Sequence, residues 1–171
     1  MKPPQSVMDV FKLLPDATRA EVNENKLYIQ PIPTSNHQEV SMALSIEIGG
    51  YIRDNKLGKF FATIDVYLDE ENAFHPDLIF VKIENREIIN ENGHILGAPD
   101  LVIEILSPSN RQYDLVNKKE VYERCGVNEY WVVDPNTKEA FGFLLEEERY
   151  TELPPTPGKI KSKLLKKTFS F

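Results

Sequence analysis

Residues Gly97 to Pro135 read GAPDLVIEILSPSNRQYDLVNKKEVYERCGVNEYWVVDP, and this stretch decides the fold. Asp100 to Leu106 is apolar on both faces apart from the acid that starts it and Glu104 within it, the pattern of a central strand. Ser107-Pro108-Ser109 stops that strand. Gln112 to Arg124 follows as a helix ended by Gly126, and Tyr130 to Val133 is another central strand, stopped by Asp134-Pro135-Asn136. Strand, helix and strand in immediate succession predict a mixed α/β arrangement.

Working upstream, Pro76 to Val81 predicts a further central strand, and Lys82 to Pro99, with its Asn and Gly residues, is an excursion between the two. Phe60 to Leu68 alternates, with Phe60, Ala62, Ile64, Val66 and Leu68 on one face and Phe61, Thr63, Asp65 and Tyr67 on the other, so it predicts one strand. From His37 to about Asn55 the pattern is helical, capped by Ser35 or Asn36, with Val40, Leu44, Glu47 and Tyr51 on one stripe. Lys26 to Gln30 predicts an N-terminal strand closed by Pro31 and Pro33. Downstream, Ala140 to Leu145 and Tyr150 to Leu153 predict a C-terminal β-hairpin. The tail from Ile160, with Lys161, Lys163, Lys166 and Lys167, reads as a solvated face.

With 171 residues, 41% hydrophobic and 27% charged, the chain is expected to form a single domain over residues 1–171. No apolar run approaches a membrane span, and Met1 to Leu14 lacks the continuous apolar stretch of a signal peptide, so a cytoplasmic protein with no membrane partner is expected. One cysteine, Cys125, excludes an internal disulfide and a cysteine-based zinc cluster; it reads as a small packed side chain near a helix end. The net charge of −7 argues against a protein that coats DNA electrostatically. It leaves room for a nuclease, whose active site is itself rich in carboxylates.

Glu104 lies between Ile103 and Ile105 in a strand expected to be buried, where an unpaired carboxylate would cost several kcal/mol. Asp77, in HPDLIFV, is an acid immediately before four apolar residues. Two acids on neighbouring central strands suit a hard cation such as Mg²⁺, which takes oxygen ligands and keeps several waters. Pattern alone leaves open a strand-end turn for Asp77 and a buried salt bridge for Glu104. Asp100, at a strand entrance, is expected to be solvated.

HPDLIFV and the stretch from Gly97 to Pro135, with NHQEV and IDVYLDE as weaker upstream echoes, resemble the Uma-two family of restriction-endonuclease-like proteins within the PD-(D/E)XK nuclease superfamily. The resemblance implies a restriction-endonuclease-like core of order α-β-β-β-α-β, spanning roughly residues 21–153, with the N-terminal strand and C-terminal β-hairpin added. It implies a Mg²⁺- or Mn²⁺-dependent endonuclease acting on DNA, with Asp77, Glu104 and the backbone carbonyl of Ile105 as metal ligands. A homodimer is expected of nucleases that cut both strands.

The superfamily lysine lies two residues after the second acid, and here that position is Leu106. In sequences like this one the basic residue resembles a transplant to the following helix, at Lys118, with Lys119 as the fallback. Asp114, Lys118 and Tyr122 recur every fourth residue and share one helix face, although an ordinary surface ion pair would give the same spacing. His37 and Glu47, on the stripe of the first long helix, are further candidates for the site. Glu24 stands near the family's first strand, where an Asp-Gly turn reads Glu24-Asn25. The missing strand lysine keeps an alternative in play: a catalytically inactive nuclease-fold module for nucleic-acid binding or protein assembly.

Overall fold

The structure is a computed structural model and describes residues 3–15, 18–107 and 110–171. In chain order it contains α1 (Val7–Phe11), β1 (Ala20–Asn23), β2 (Lys26–Ile29), α2 (35–54), β3 (Gly58–Ala62), β4 (Val66–Tyr67), β5 (Ala73–Phe74) and β6 (Leu78–Lys82). A 3₁₀ turn (Ile83–Ile88) leads to β7 (Ile95–Leu96), β8 (Leu101–Ile105), α3 (113–125), β9 (Glu129–Val133), β10 (Glu139–Glu146), β11 (Arg149–Pro157), β12 (Lys159–Ser162) and β13 (Lys167–Ser170). The expected stop at Pro108 and Ser109 falls outside the described residues.

The chain is a mixed α/β protein. A six-stranded sheet of order β11-β10-β9-β8-β6-β3 forms its centre, antiparallel except for the parallel pair β8 and β9. That parallel pair is a consequence of α3, because a helical crossover returns the chain to the same edge in the same direction. Every residue of β8 and β9 is buried, as their two-faced apolar pattern requires. On one face Leu101, Ile103 and Ile105 pack with Val40, Leu44, Ile48 and Ile52 of α2. On the other, Val102 and Leu106 pack with Val121 and Tyr122 of α3. Alternation therefore sends Glu104 to the α3 side.

Trp131 of β9 lies directly opposite Gly142 of β10. A Cβ at Gly142 would stand 2.6–2.7 Å from the indole ring, so only glycine lets the large ring lie across that strand. The same ring donates its Nε1–H to Glu129, whose carboxyl is raised by burial against the hydrogen bonds it accepts from Trp131, Leu164 and Ser162.

Several expectations change. The single strand from Phe60 to Leu68 is two strands in different sheets: Thr63 takes φ +58°, which breaks the extended path after Ala62. Beyond that break β4 joins a second mixed sheet, β2-β1-β5-β4-β7, three of whose strands are two residues long and leave no periodicity to read. The N-terminal strand is half of a hairpin, since β1 pairs with β2 around Glu24-Asn25, both at positive φ as a two-residue turn demands.

Helix α2 is capped by the Thr34 side chain, not by Ser35 or Asn36. It contains a π turn over Ser45–Gly49, and the extra residue moves the buried stripe from Glu47 and Tyr51 to Ile48 and Ile52. Glu47 is left exposed.

The lysine-rich tail is a hairpin, β12 with β13, and not a solvated face alone. Its lysines point outward while Ile160, Leu165 and Phe169 complete the core beneath α2. Ile160→Val is accordingly expected to lower stability by about 0.5–1.5 kcal/mol in denaturant unfolding, whereas a solvated tail would register nothing. Asp100 is likewise buried, accepting hydrogen bonds from the Lys82 N–H and from Asn85 and Asn128, so it ties the excursion to the sheet. No described helix is long and apolar enough to cross a membrane.

Candidate functional site

Asp77 immediately precedes β6, and Glu104 lies in the neighbouring β8; the register pairs Leu78 with Ile103. One oxygen of Asp77, Oδ2, accepts the Ile105 N–H at 2.8 Å and faces His37 Nε2 at 3.1 Å. A carboxylate can only accept, so His37 carries its proton on Nε2 when neutral. Its Nδ1 is buried with no partner among the described residues. His37 thus reaches the site from the first turn of α2, where the Thr34 cap anchors it.

Glu104 accepts two hydrogen bonds on a single oxygen, Oε1, from Lys118 Nζ and the Tyr122 hydroxyl, each at 3.0 Å. Both donors come from the face of α3 that the four-residue spacing marks out. Lys118 also donates to Glu21 Oε1 at 2.8 Å and forms an ion pair with Asp114 Oδ1 at 3.4 Å, the latter without hydrogen-bond alignment. Its ammonium lies over the rings of Phe74 and Tyr113. Glu21 accepts the His75 N–H as well.

The side chains of Glu21, Glu104, Asp114 and Lys118 are each no more than 5% exposed, and Asp77 is 12% exposed. Three buried carboxylates therefore share one buried ammonium, and Asp77 lines the same pocket beside them. Burial pushes Glu104 well above the usual carboxylate range against the pull of Lys118, with Asp114, Asp77 and Glu21 adding repulsion. Burial likewise raises Asp114, to about 6. For Lys118 burial works against the charge, yet Glu104, Glu21 and Asp114 outweigh it and hold the ammonium well above its ordinary range.

These groups line a cavity of about 30 Å³, with Arg19, Gln30, His75 and Ile105 also at its walls. That is room for a single water or ion. Among the described residues no three His, Cys, Asp or Glu side chains form a ready-made metal cage. A magnesium-like cation does not ask for one, because it takes one or two carboxylates and completes its shell with water and phosphate. The donor set fits such an ion: hard oxygens, an excess of buried negative charge, and a space of the right size.

Of the residues singled out in the sequence, Asp77, Glu104, Asp114, Lys118 and His37 converge here. Glu47 does not, and neither does Lys119, which pairs with the exposed Glu152 and lies over the Phe143 ring. Glu24 forms an exposed pair with Arg124. Cys125 has its thiol pushed up to about 11 by burial and by Asp69, which removes it as a nucleophile. Glu21 was the residue sequence reasoning missed. Its signal was an acid between Ala20 and Val22 in a strand too short to notice, and all three are buried.

Glu21→Gln keeps an acceptor for Lys118 while removing one charge from the cluster. Calorimetric titration is expected to show Mn²⁺ binding weakened about tenfold or more, the range seen when groups behind metal ligands change. Unchanged affinity would exclude Glu21 from the electrostatics of the site.

A family model described as "Uma2: Putative restriction endonuclease" matches residues 8–167. Among solved structures, the fold is similar to that of an Anabaena variabilis protein described as "a putative nuclease belonging to DUF820", with a TM-score of 0.72 and 21% sequence identity. The match covers 88% of this chain and 84% of that one. No curated protein matches the chain.

Proposed function

The chain belongs to the Uma2 family, and from its buried carboxylate cluster we propose that it is a divalent-metal-dependent endonuclease hydrolysing DNA phosphodiester bonds. The succession α2, β3, β6, β8, α3, β9 reads in this proposal as the restriction-endonuclease-like core, with β4, β5 and β7 as insertions that build the second sheet. One observation carries the reading: three buried carboxylates share one ammonium, with Asp77 beside them, at an ion-sized cavity. Such an arrangement is costly as a purely structural device, because three buried acids have a single ammonium between them.

Asp77, Glu104 and the Ile105 carbonyl would hold a Mg²⁺ or Mn²⁺ ion. When bound there, the cation supplies Lewis-acid stabilisation of the phosphoryl oxygens and makes a neighbouring water more acidic. The chain's own contributions are positional. His37 and the Ile105 N–H fix the Asp77 carboxylate from two sides, leaving its other oxygen for a ligand. Lys118 and Tyr122 fix Glu104 in the same way, and the Lys118 charge favours the ionised form that a cation needs. Because Lys118 is shared among three acids and almost fully buried, its part is to orient Glu104 and present positive charge to the pocket wall.

Incubation of supercoiled plasmid and single-stranded DNA with the protein and Mn²⁺ or Mg²⁺ tests the proposal. Cleavage that chelation abolishes is the expected result. Absence of cleavage across both metals and both substrates, with Mn²⁺ bound, would favour a non-catalytic module; the engagement of Lys118 by three acids and the apolar Leu106 in the usual lysine position are the features that would explain it.

A further inference from the structure

Beside the carboxylate pocket lies a second cavity of about 290 Å³, walled in part by Lys12, Arg19, Asp65, Tyr67, His75 and His94. Arg19 and His75 line both cavities, so the two spaces adjoin. The balance of charge reverses between them. Among the described residues the second cavity is lined by one carboxylate, Asp65, and two histidines face it: His75 Nδ1 is 2.9 Å from Oδ1 and His94 Nδ1 is 3.6 Å from Oδ2. Lys12 Nζ sits 5.7 Å from the centre of the Tyr67 ring.

Arg19 forms no ion pair among the described residues, and its Nε is buried without a hydrogen-bond partner. A buried donor on a permanent cation is costly to leave unmet. Among the described residues, no acid lining this cavity pairs with it. The guanidinium fork matches a phosphate in shape and charge, and an anion entering the cavity would satisfy Nε and neutralise Arg19 together.

We infer that Arg19 and this cavity bind a non-scissile phosphate of the substrate backbone, adjacent to the phosphodiester presented to Asp77 and Glu104. The inference rests on the nuclease reading for the identity of the strand, but the site itself needs no catalysis. It also accounts for how a chain of net charge −7 holds a polyanion: a local cation next to the acidic centre, in place of a basic surface.

Fluorescence anisotropy of a short labelled DNA duplex, in Ca²⁺ and over a series of salt concentrations, tests it. Arg19→Gln is expected to weaken binding about tenfold and to flatten the salt dependence by about one unit of slope, as loss of one phosphate contact does. Arg19→Lys, which keeps the charge, should recover the slope and leave Mn²⁺ affinity within about twofold of wild type. Wild-type affinity and slope in Arg19→Gln overturn the inference, as does a wild-type protein that binds no duplex.

Should Arg19→Gln fail to fold, the unaltered protein still decides. The Arg19 Nε–H resonance must shift as duplex is added, and a stationary resonance at saturation overturns the site. Cleavage enters neither readout. Binding through Arg19 without cutting would keep this site and remove the nuclease reading, while cutting with Arg19→Gln binding intact would do the reverse.

Discussion

Asp77→Asn is expected to lower Mn²⁺-dependent DNA cleavage by about a thousandfold, the order lost when one preorganised electrostatic contact to a reacting group is removed. The substitution preserves shape. A carboxamide oxygen still accepts the Ile105 N–H, so the strand β6 and its pairing with β8 should stand. What disappears is a charge that a hard cation requires. Initial rates of plasmid nicking, with thermal unfolding as the control, separate the two effects. The metal-free variant should be no less stable than wild type, since one of four clustered carboxylates has gone. Cleavage within a few-fold of wild type would remove Asp77 from the site.

Lys118→Met carries the largest stability effect. Methionine fills similar space but leaves Glu21, Glu104 and Asp114 buried without a cation, and removing one partner of a buried ionic group costs about 3–5 kcal/mol. Urea unfolding without metal should show that loss at neutral pH. The loss should shrink on acidification. Burial holds Asp114 at about 6, above its ordinary 3.8, so between those values the folded protein binds more protons than the unfolded chain and stability falls as pH rises. Without Lys118, which pulls both Asp114 and Glu104 downward, that fall should be steeper and reach higher pH. An equal deficit at pH 4.5 and pH 7.5, values chosen at about either side of the Asp114 transition, would contradict the account.

The parts of the fold legible in the sequence are those with long, two-faced apolar patterns. β6, β8, α3 and β9 fall where the runs from Pro76 and from Asp100 place them, because burial on both faces leaves no polar residue without a reason. The second sheet was illegible. Strands of two residues carry no alternation, and the break at Thr63 sits inside a pattern that continues unbroken across it. Helix α2 shows a different limit: periodicity assumes a constant rise, and a π turn of one extra residue carried Glu47 off the buried stripe without altering the sequence pattern.

The same division holds for the site. Glu104 and Asp77 stood out as charges among apolar neighbours, the family resemblance marked Lys118, and helical spacing set Lys118 and Tyr122 on one face; the structure brings all four together. Glu21 and Arg19 lie in or beside β1, which nothing in the chain announced, and they reach the pocket only because the β1–β2 hairpin folds against it. Non-local contacts of that kind have no signature in a single sequence.

The central claim is that this carboxylate cluster holds a divalent cation. Calorimetric titration of Mn²⁺ into wild type and Glu104→Gln, in the absence of DNA, tests it most directly. The account predicts one saturable site in wild type and binding weakened at least about tenfold in Glu104→Gln. Equal binding by both proteins, or none by wild type, would contradict it.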